Sequence, residues 1–387
     1  MSCYTHVMKK RILFNDSNKL SIGQKVVVTE YGQSPMDAVD KFIRLQSQKA
    51  PDFSDLTAKD VIIAVRSASV GWVDLIMASG QYQHMAPPPY IPGLEYAGDI
   101  AWAGSEAVSA GFQVGDRVLA DCFQVGPRSS GAYREWGGFA NWAVAPLEAL
   151  RPVPEGFSYD QACNFFGSYE TAYHGLIARG QLKAGETVLI LGASGSTGLA
   201  AVHIAKLLGA TVIATGRNPE KLAFVKDQGA DHILNTSESS SMRDKVKALT
   251  EGRGVNVVYD TVGGDISHEA IRCVSFGARY LVMGWAATPD VARGKGGRGA
   301  PKANMLPTNL MMMKGLDVLG CPTVISTVHN PAIRRSRVKW LLERAAEGRL
   351  RPYISHTWPL SDVQEALRAK FRGNVIGGAA LHPPTII

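Results

Sequence analysis

Along this chain the rhythm of apolar and polar positions changes near residue 160. Between about 60 and 150, short β-rich runs alternate with turn residues, as in DVIIAVRSASVG, YIPGLEYAGDIAWAG and VGDRVLADCF. That texture predicts a β-rich, barrel-like unit with Gly and Pro at its corners. The Pro cluster MAPPPYIPG (85–93) can neither continue a helix nor donate within a central strand, so it predicts a loop. Beyond 160, strand and helix patterns alternate. ETVLILG reads as a strand and GLAAVHIAKLLGA as a helix with Leu199, Val202, Ala205 and Leu208 on one face. TVIATG, helix PEKLAFVKDQGA, DHILN, a helix near SMRDKVKALTEG, VNVVYDTVG, helix SHEAIRCVS and RYLVMGW follow. This order predicts βαβ crossovers and an α/β fold with a doubly wound parallel sheet. From 331 the tail returns to a helix (RRSRVKWLLERAAEG), a short strand, a helix (LSDVQEALRAKF) and a last β run. Residues 1–160 and 331–387 are therefore expected to form one domain, with 161–330 inserted as the other. Two stretches read as insertions: one near 35–58 with a short helix, and the polar, Gly-rich GPRSSGAYREWGG at 126–138.

The chemistry is concentrated where the first parallel strand meets its helix, in ILGASGSTGL (190–199). Ala193, Ser194, Gly195, Ser196, Thr197 and Gly198 form a turn of small residues. A bare main chain lets a pyrophosphate approach, and the helix N-terminus offers it free N–H donors and a partial positive charge. An NAD site places an acid about 20 residues on, at the end of the second strand, for the ribose 2′-OH. Here that strand ends TVIATGRNPEK, with Gly216 and Arg217 at the position and Lys221 one helical turn away. Cations there would hold a 2′-phosphate that a carboxylate would repel, so NADPH is favoured over NADH.

Length and charge narrow the class. A chain of 387 residues exceeds the range of one growing core, which agrees with two domains. The net charge of +7 is spread along the chain except at 292–302, where Arg293, Lys295 and Arg298 sit among glycines. This pattern argues against nucleic acid and for a pull on phosphorylated small molecules, a coenzyme A thioester among them. No run of about 20 apolar residues predicts a membrane span. The basic first fourteen residues lack a secretory signal's apolar centre; an organelle presequence is the minor alternative to a cytoplasmic protein. Cys3, Cys122, Cys163, Cys273 and Cys321 are scattered, as buried thiols in a reducing compartment are.

With SVGWVDLIMASGQY (69–82), IPGLEYAGDI (91–100), VGDRV (114–118), ETAYHGL (170–176), GASGSTGLAAVHIAKLLGATVIATG (192–216), VVYDTVGG (257–264) and LPTNLMMMKGLDVLG (306–320) in this order, the chain resembles the medium-chain dehydrogenase/reductase superfamily. It is most similar to the zinc-free quinone oxidoreductase and enoyl reductase branch. The resemblance implies a GroES-like catalytic domain, a Rossmann NADP-binding domain and a homodimer joined near LDVLGC. Zinc-dependent relatives carry a Cys where this chain has Gly71 and a His where it has Leu94, and neither residue here can ligate zinc. The implied acceptors carry their own electron sink: a quinone, or the C=C bond of an α,β-unsaturated carbonyl. A 2-enoyl thioester is an alternative substrate, and a non-catalytic NADPH-binding protein is the rival from another class.

The same resemblance supplies candidate residues. Tyr82 matches a tyrosine proposed to orient the carbonyl or supply a proton, and its plain alternative is packing. Trp72, Tyr82 and Trp285 are candidate pocket walls. Asp74 and Glu95 are expected to brace rather than transfer protons. Thr171 matches a position near the nicotinamide. Asn235 follows the third strand without the Tyr usual in related NADPH enzymes. Gly263, Met283, Gly284, Trp285 and Cys321 are expected along the dinucleotide crevice, with Arg372 reaching the cofactor phosphate. His174 and His203 are expected to be structural, and the Met triplet at 311–313 to line an apolar pocket or fill core gaps.

Overall fold

The computed structural model describes residues 20–84, 86–238, 241–288 and 304–385. The basic loop 292–302, Met85, Cys3 and the first fourteen residues lie outside them. A short antiparallel pair, β1 (Gly23–Val28) and β2 (Ile43–Gln48), comes first. The stretch expected to be an insertion with a short helix does supply a helix, Pro35–Lys41, capped by Ser34 and opened by Pro35. It also supplies β2, so it is part of the framework. Next come β3 (Asp60–Ser69), β4 (Tyr96–Ala103), β5 (Arg117–Ala120), β6 (Trp142–Pro146) and β7 (Leu150–Pro152).

The change of rhythm marks the entry to a second sheet. Its strands are β8 (Thr187–Leu191), β9 (Thr211–Gly216), β10 (His232–Asn235), β11 (Val255–Asp260), β12 (Val274–Val282) and β13 (Asp317–Gly320). They are all parallel, in the order β10-β9-β8-β11-β12-β13. This is the Rossmann order, and the strand sequence reverses between β8 and β11, where a crevice opens at the carboxyl ends. β8 and β11 are apolar almost throughout because helices cover both faces. One boundary differs from expectation: the helix Asp265–Ala270 stops early, and Val274 and Ser275 already belong to β12.

The tail returns through β14 (Ile354–Pro359) and β15 (Gly378–His382), which join the first half's sheet in the order β14-β15-β3-β4-β5-β7, with β6 on β3. The connecting helix Ala332–Ala346 instead gives Leu341 and Ala345 to the core under the parallel sheet. The tail also touches the glycine turn: Gly377 N–H donates to the Ser194 carbonyl at 2.8 Å. The two halves are thus bound together at the crevice itself.

Candidate functional site

Glycine is a steric requirement at Gly198. A Cβ there would stand 2.3 Å from the Gly192 carbonyl oxygen and 2.8 Å from the Ala193 Cα. Gly192 takes a φ of +69°, a left-handed conformation that side chains disfavour. A Cβ on Gly195 would meet only the Gly192 oxygen, at 3.5 Å, so Gly195 is bare on its open side. Gly195 is also the N-cap of the helix Ser196–Leu207 and has no side chain to cap it. The first intrahelical bond there is Leu199 N–H to the Gly195 carbonyl at 2.8 Å, leaving the N–H groups of Ser196, Thr197 and Gly198 ahead of it. Ser194, Ser196 and Thr197 are half-buried around this opening. A cradle in which a Cβ is excluded behind and absent in front fits a dinucleotide pyrophosphate.

At the end of β9 the exposed Arg217 follows Gly216, and no carboxylate stands in the turn before Glu220. Asn218 caps the next helix by accepting from Lys221 N–H at 3.0 Å. The Lys221 ammonium donates to the carbonyls of Gly373 and Val375, so it holds the tail beside the turn. A Cβ on Gly373 would lie 3.9 Å from an Arg217 Nη atom. Lys221 is thus engaged, while Arg217 beside this turn is exposed. Arg372 caps the tail helix Val363–Phe371 and is exposed. Asn235 turns its carbonyl to Ser237 N–H at 3.0 Å, and Thr236 binds the Gly216 carbonyl, tying the third strand end to the second.

Deeper in the crevice, Asp260 is fully buried and accepts from Val262 and Gly263 N–H, Ser267 and Tyr280. It sets the loop that Gly263 turns with a φ of +72°. Met283 and Gly284 N–H both donate to the Asp260 carbonyl. Trp285 is 49% exposed and does not close the core; it lies against Gly263 at the rim. Cys321 is buried, its N–H bonded to Val282, and burial pushes its thiol up to about 11, so it has no thiolate character.

On the other wall, Asp74 accepts N–H bonds from Gly71 and Gly93, both at 3.0 Å, and joins the two family motifs as a brace. Burial nevertheless pushes its carboxyl up to about 6. Glu95 accepts Gly167 N–H at 2.6 Å, and burial raises it to about 7. One helical turn on, Thr171 donates to the Gly167 carbonyl at 2.7 Å, so its hydroxyl proton is committed to its own helix. Tyr82 is buried with Met77, Leu94 and Cys122. Trp72 stacks on Phe371, rings 4° from parallel, which ties its helix to the tail helix within the β-rich half and leaves it no free pocket wall. Of the Met triplet, Met311 packs on the core while Met312 and Met313 are exposed. His203 bonds Tyr169 and Gln228 as a structural residue, and burial lowers His174 to about 4, which keeps it neutral.

Two groups had no signal in the sequence. One is a buried ionic cluster: Arg334 pairs with Asp121 and Glu170, and Arg337, 1% exposed, also pairs with Glu170. It staples the loop after β5, the helix Phe166–Tyr173 that carries Thr171, and the helix Ala332–Ala346. The other is Arg128, in the loop expected to be a polar insertion. The ionic cluster depends on contacts between residues far apart in sequence, and Arg128 joins its near neighbours Cys122 and Phe123 to the distant Tyr82.

With this geometry in view, two family descriptions match: an alcohol dehydrogenase GroES-like domain over residues 57–155 and a zinc-binding dehydrogenase domain over 196–336. The quinone oxidoreductase-like protein 2 homolog of Nematostella vectensis is 32% identical over 91% of this chain and 87% of its own length. The chain belongs to the medium-chain dehydrogenase/reductase superfamily, in its zinc-free quinone oxidoreductase branch. A probable oxidoreductase from Mycobacterium abscessus superposes with a TM-score of 0.75 at 27% identity, covering 94% of this chain and all of that one. The fold is shared by the quinone oxidoreductase of Thermus thermophilus, with a TM-score of 0.71 at 24% identity over 93% of this chain and 99% of that one. The chain is thus an oxidoreductase. Gly71 and Leu94 offer no metal donor at the positions where zinc-dependent members have ligands. Among the described residues no helix is long and apolar enough to cross a membrane.

Proposed function

We propose that the protein is an NADPH-dependent oxidoreductase that needs no zinc and delivers hydride to a quinone or to the C=C bond of an α,β-unsaturated carbonyl. The observation that carries the cofactor choice is the turn after β9, where Arg217 stands exposed and no carboxylate precedes Glu220. The Thermus thermophilus relative has been solved in complex with NADPH, which agrees with this choice. Ser194 to Gly198 would hold the pyrophosphate, Arg217 the 2′-phosphate, and Thr171 the carboxamide, with the main chain of Gly263, Met283, Gly284 and Cys321 along the crevice. When bound, the nicotinamide supplies a hydride from its C4. The protein's part is to orient the acceptor, exclude water and stabilise the oxyanion that develops as the hydride arrives. Tyr82, packed beside Leu94, would give a hydrogen bond to that oxygen, and Trp285 would cover a flat acceptor at the rim. The edge strand β13, with Val318, Met312 and Met313 exposed beside it, is the face for a homodimer.

Following cofactor absorbance with naphthoquinone, enone and enoyl-thioester panels tests this directly. Oxidation of NADPH in preference to NADH, with at least one panel, is expected. Binding of NADPH without turnover of any panel would leave a nucleotide-binding protein, and a preference for NADH would overturn the role of Arg217.

A further inference from the structure

Two guanidinium groups lie against one phenyl ring, and they differ in their partners. The Cζ of Arg334 is 4.3 Å from the Phe123 ring centroid and that of Arg128 is 4.8 Å from it. Arg334 is doubly neutralised by Asp121 and Glu170. Arg128 has no carboxylate within ion-pair distance among the described residues. Its Nη2 donates to the Cys122 sulfur, which burial keeps a neutral thiol by pushing it up to about 12. It also bonds the Tyr82 side chain. Its Nε is buried and has no hydrogen-bond partner. A desolvated cation whose hydrogen bonds go only to a thiol and a phenol, with one N–H unpaired, is costly unless an anion completes it.

The place matters as much as the charge. Arg128 is close enough to bias both Asp74, the brace of the Gly71 and Gly93 loops, and Glu95, which holds Gly167. The Gly167 carbonyl in turn accepts from Thr171. Arg128 therefore sits among the motif residues where Gly71 and Leu94 have no metal donor, next to Tyr82 and the helix that carries Thr171.

We propose that Arg128 is the electrophile of this site: its guanidinium, with the Tyr82 hydroxyl, binds the acceptor's carbonyl oxygen and stabilises the oxyanion formed on hydride transfer. This rests on the reductase function proposed above. As hydride and its electron pair reach the acceptor carbon, the C=C electrons shift and negative charge collects on the carbonyl oxygen, giving an enolate or a quinol anion. Arg128 stays protonated throughout, since a guanidinium does not release its proton in this range, so it stabilises charge while the completing proton comes from Tyr82 or water. A fixed cation with planar donors thereby takes the part a Lewis-acidic metal plays elsewhere.

The test uses the full-length protein and its Arg128→Gln, Arg128→Ala and Arg128→Lys variants. Each is measured for melting temperature, NADPH binding by fluorescence, turnover of 1,4-naphthoquinone and of an enone, and binding of 4-nitrophenolate to the NADP⁺ form as a planar oxyanion probe. Loss of one oxyanion donor lowers kcat roughly 10²-fold, so Arg128→Gln is expected to fall by about that much with NADPH binding unchanged. Phenolate binding should weaken by at least about tenfold, Arg128→Lys should retain part of both, and added methylguanidine should partly restore Arg128→Ala. A wild type that reduces the acceptors while Arg128→Gln keeps kcat and phenolate affinity within twofold overturns this role and leaves the reductase function standing. Equal loss of melting temperature, NADPH binding and turnover in all three variants, without methylguanidine rescue, would make Arg128 a structural cation and also overturn it. A wild type that turns over no acceptor removes the reductase function and this role with it.

Discussion

On the parallel-sheet wall of the crevice, the surface offered to a ligand is main chain: N–H groups ahead of the helix Ser196–Leu207, the bare Gly195, and loops hung from Asp260. On the β-rich wall it is side chains: Tyr82, Arg128, Asp74 and Glu95, several of them buried with perturbed ionisation. The first wall is built by local rules, because a strand, a turn of small residues and a helix are consecutive in the chain. The second is assembled from distant loops, so each of its residues depends on many others. A main-chain wall suits the invariant part of the chemistry, the cofactor, while a side-chain wall is where an acceptor is chosen.

If that contrast holds, the largest effect should come from filling the main-chain wall. Gly198→Val would drive a side chain into the Gly192 carbonyl, and dinucleotide binding is expected to disappear, with a large loss of stability by chemical denaturation. Next comes the staple behind the other wall. Glu170→Ala leaves Arg337 with only Thr327 among its named partners, and breaking one side of a buried pair costs about 3–5 kcal/mol in denaturant unfolding. Smaller again is the selectivity change in Arg217→Ala, where the ratio of NADPH to NADH affinity should fall by about tenfold, as for one lost charge-assisted contact.

The most gradual effect expected is in pH dependence, spread over several pH units. Glu95 has a folded pKa raised by burial to about 7, above its unfolded value, so the folded state binds the extra proton between the two. Its contribution to stability is therefore fully present below the unfolded value and is lost as pH rises toward about 7. Glu95→Gln should flatten that fall, by on the order of 1–3 kcal/mol between acid and neutral pH, in unfolding curves collected across the range. An unchanged profile would mean that Glu95 is not held in a dry environment.

How much could be read from the sequence follows the same division. The α/β alternation, the parallel sheet and the turn at 190–199 were legible because periodicity and small-residue spacing are local. Asp74 and Glu95 were legible as braces from the motifs around them, and the structure shows their N–H partners. The residues near 35–58 look like an insertion because IRLQSQ lacks a buried face, yet its backbone pairs with β1 and places it in the framework. Trp72 reads as a pocket wall until Phe371, some 300 residues away, is seen stacked on it. Lys221 has the spacing of a phosphate ligand, but its ammonium is engaged by the tail carbonyls. Arg128 is hidden in a Gly- and Ser-rich loop whose composition signals only a turn. For Trp72 and Lys221 the missing partner lies far along the chain, and for Arg128 the loop's own fold brings Cys122 and Phe123 to it, so no local pattern reports either.

The central claim is that a bare turn after the first parallel strand holds NADPH for metal-free hydride transfer to an electron-poor acceptor. The most direct test is single-turnover oxidation of NADPH by chelator-treated, zinc-free protein mixed with 1,4-naphthoquinone or an enone. The expected result is loss of cofactor absorbance at the same rate as for untreated protein. Failure to bind NADPH, or turnover that returns only when zinc is added, would contradict it.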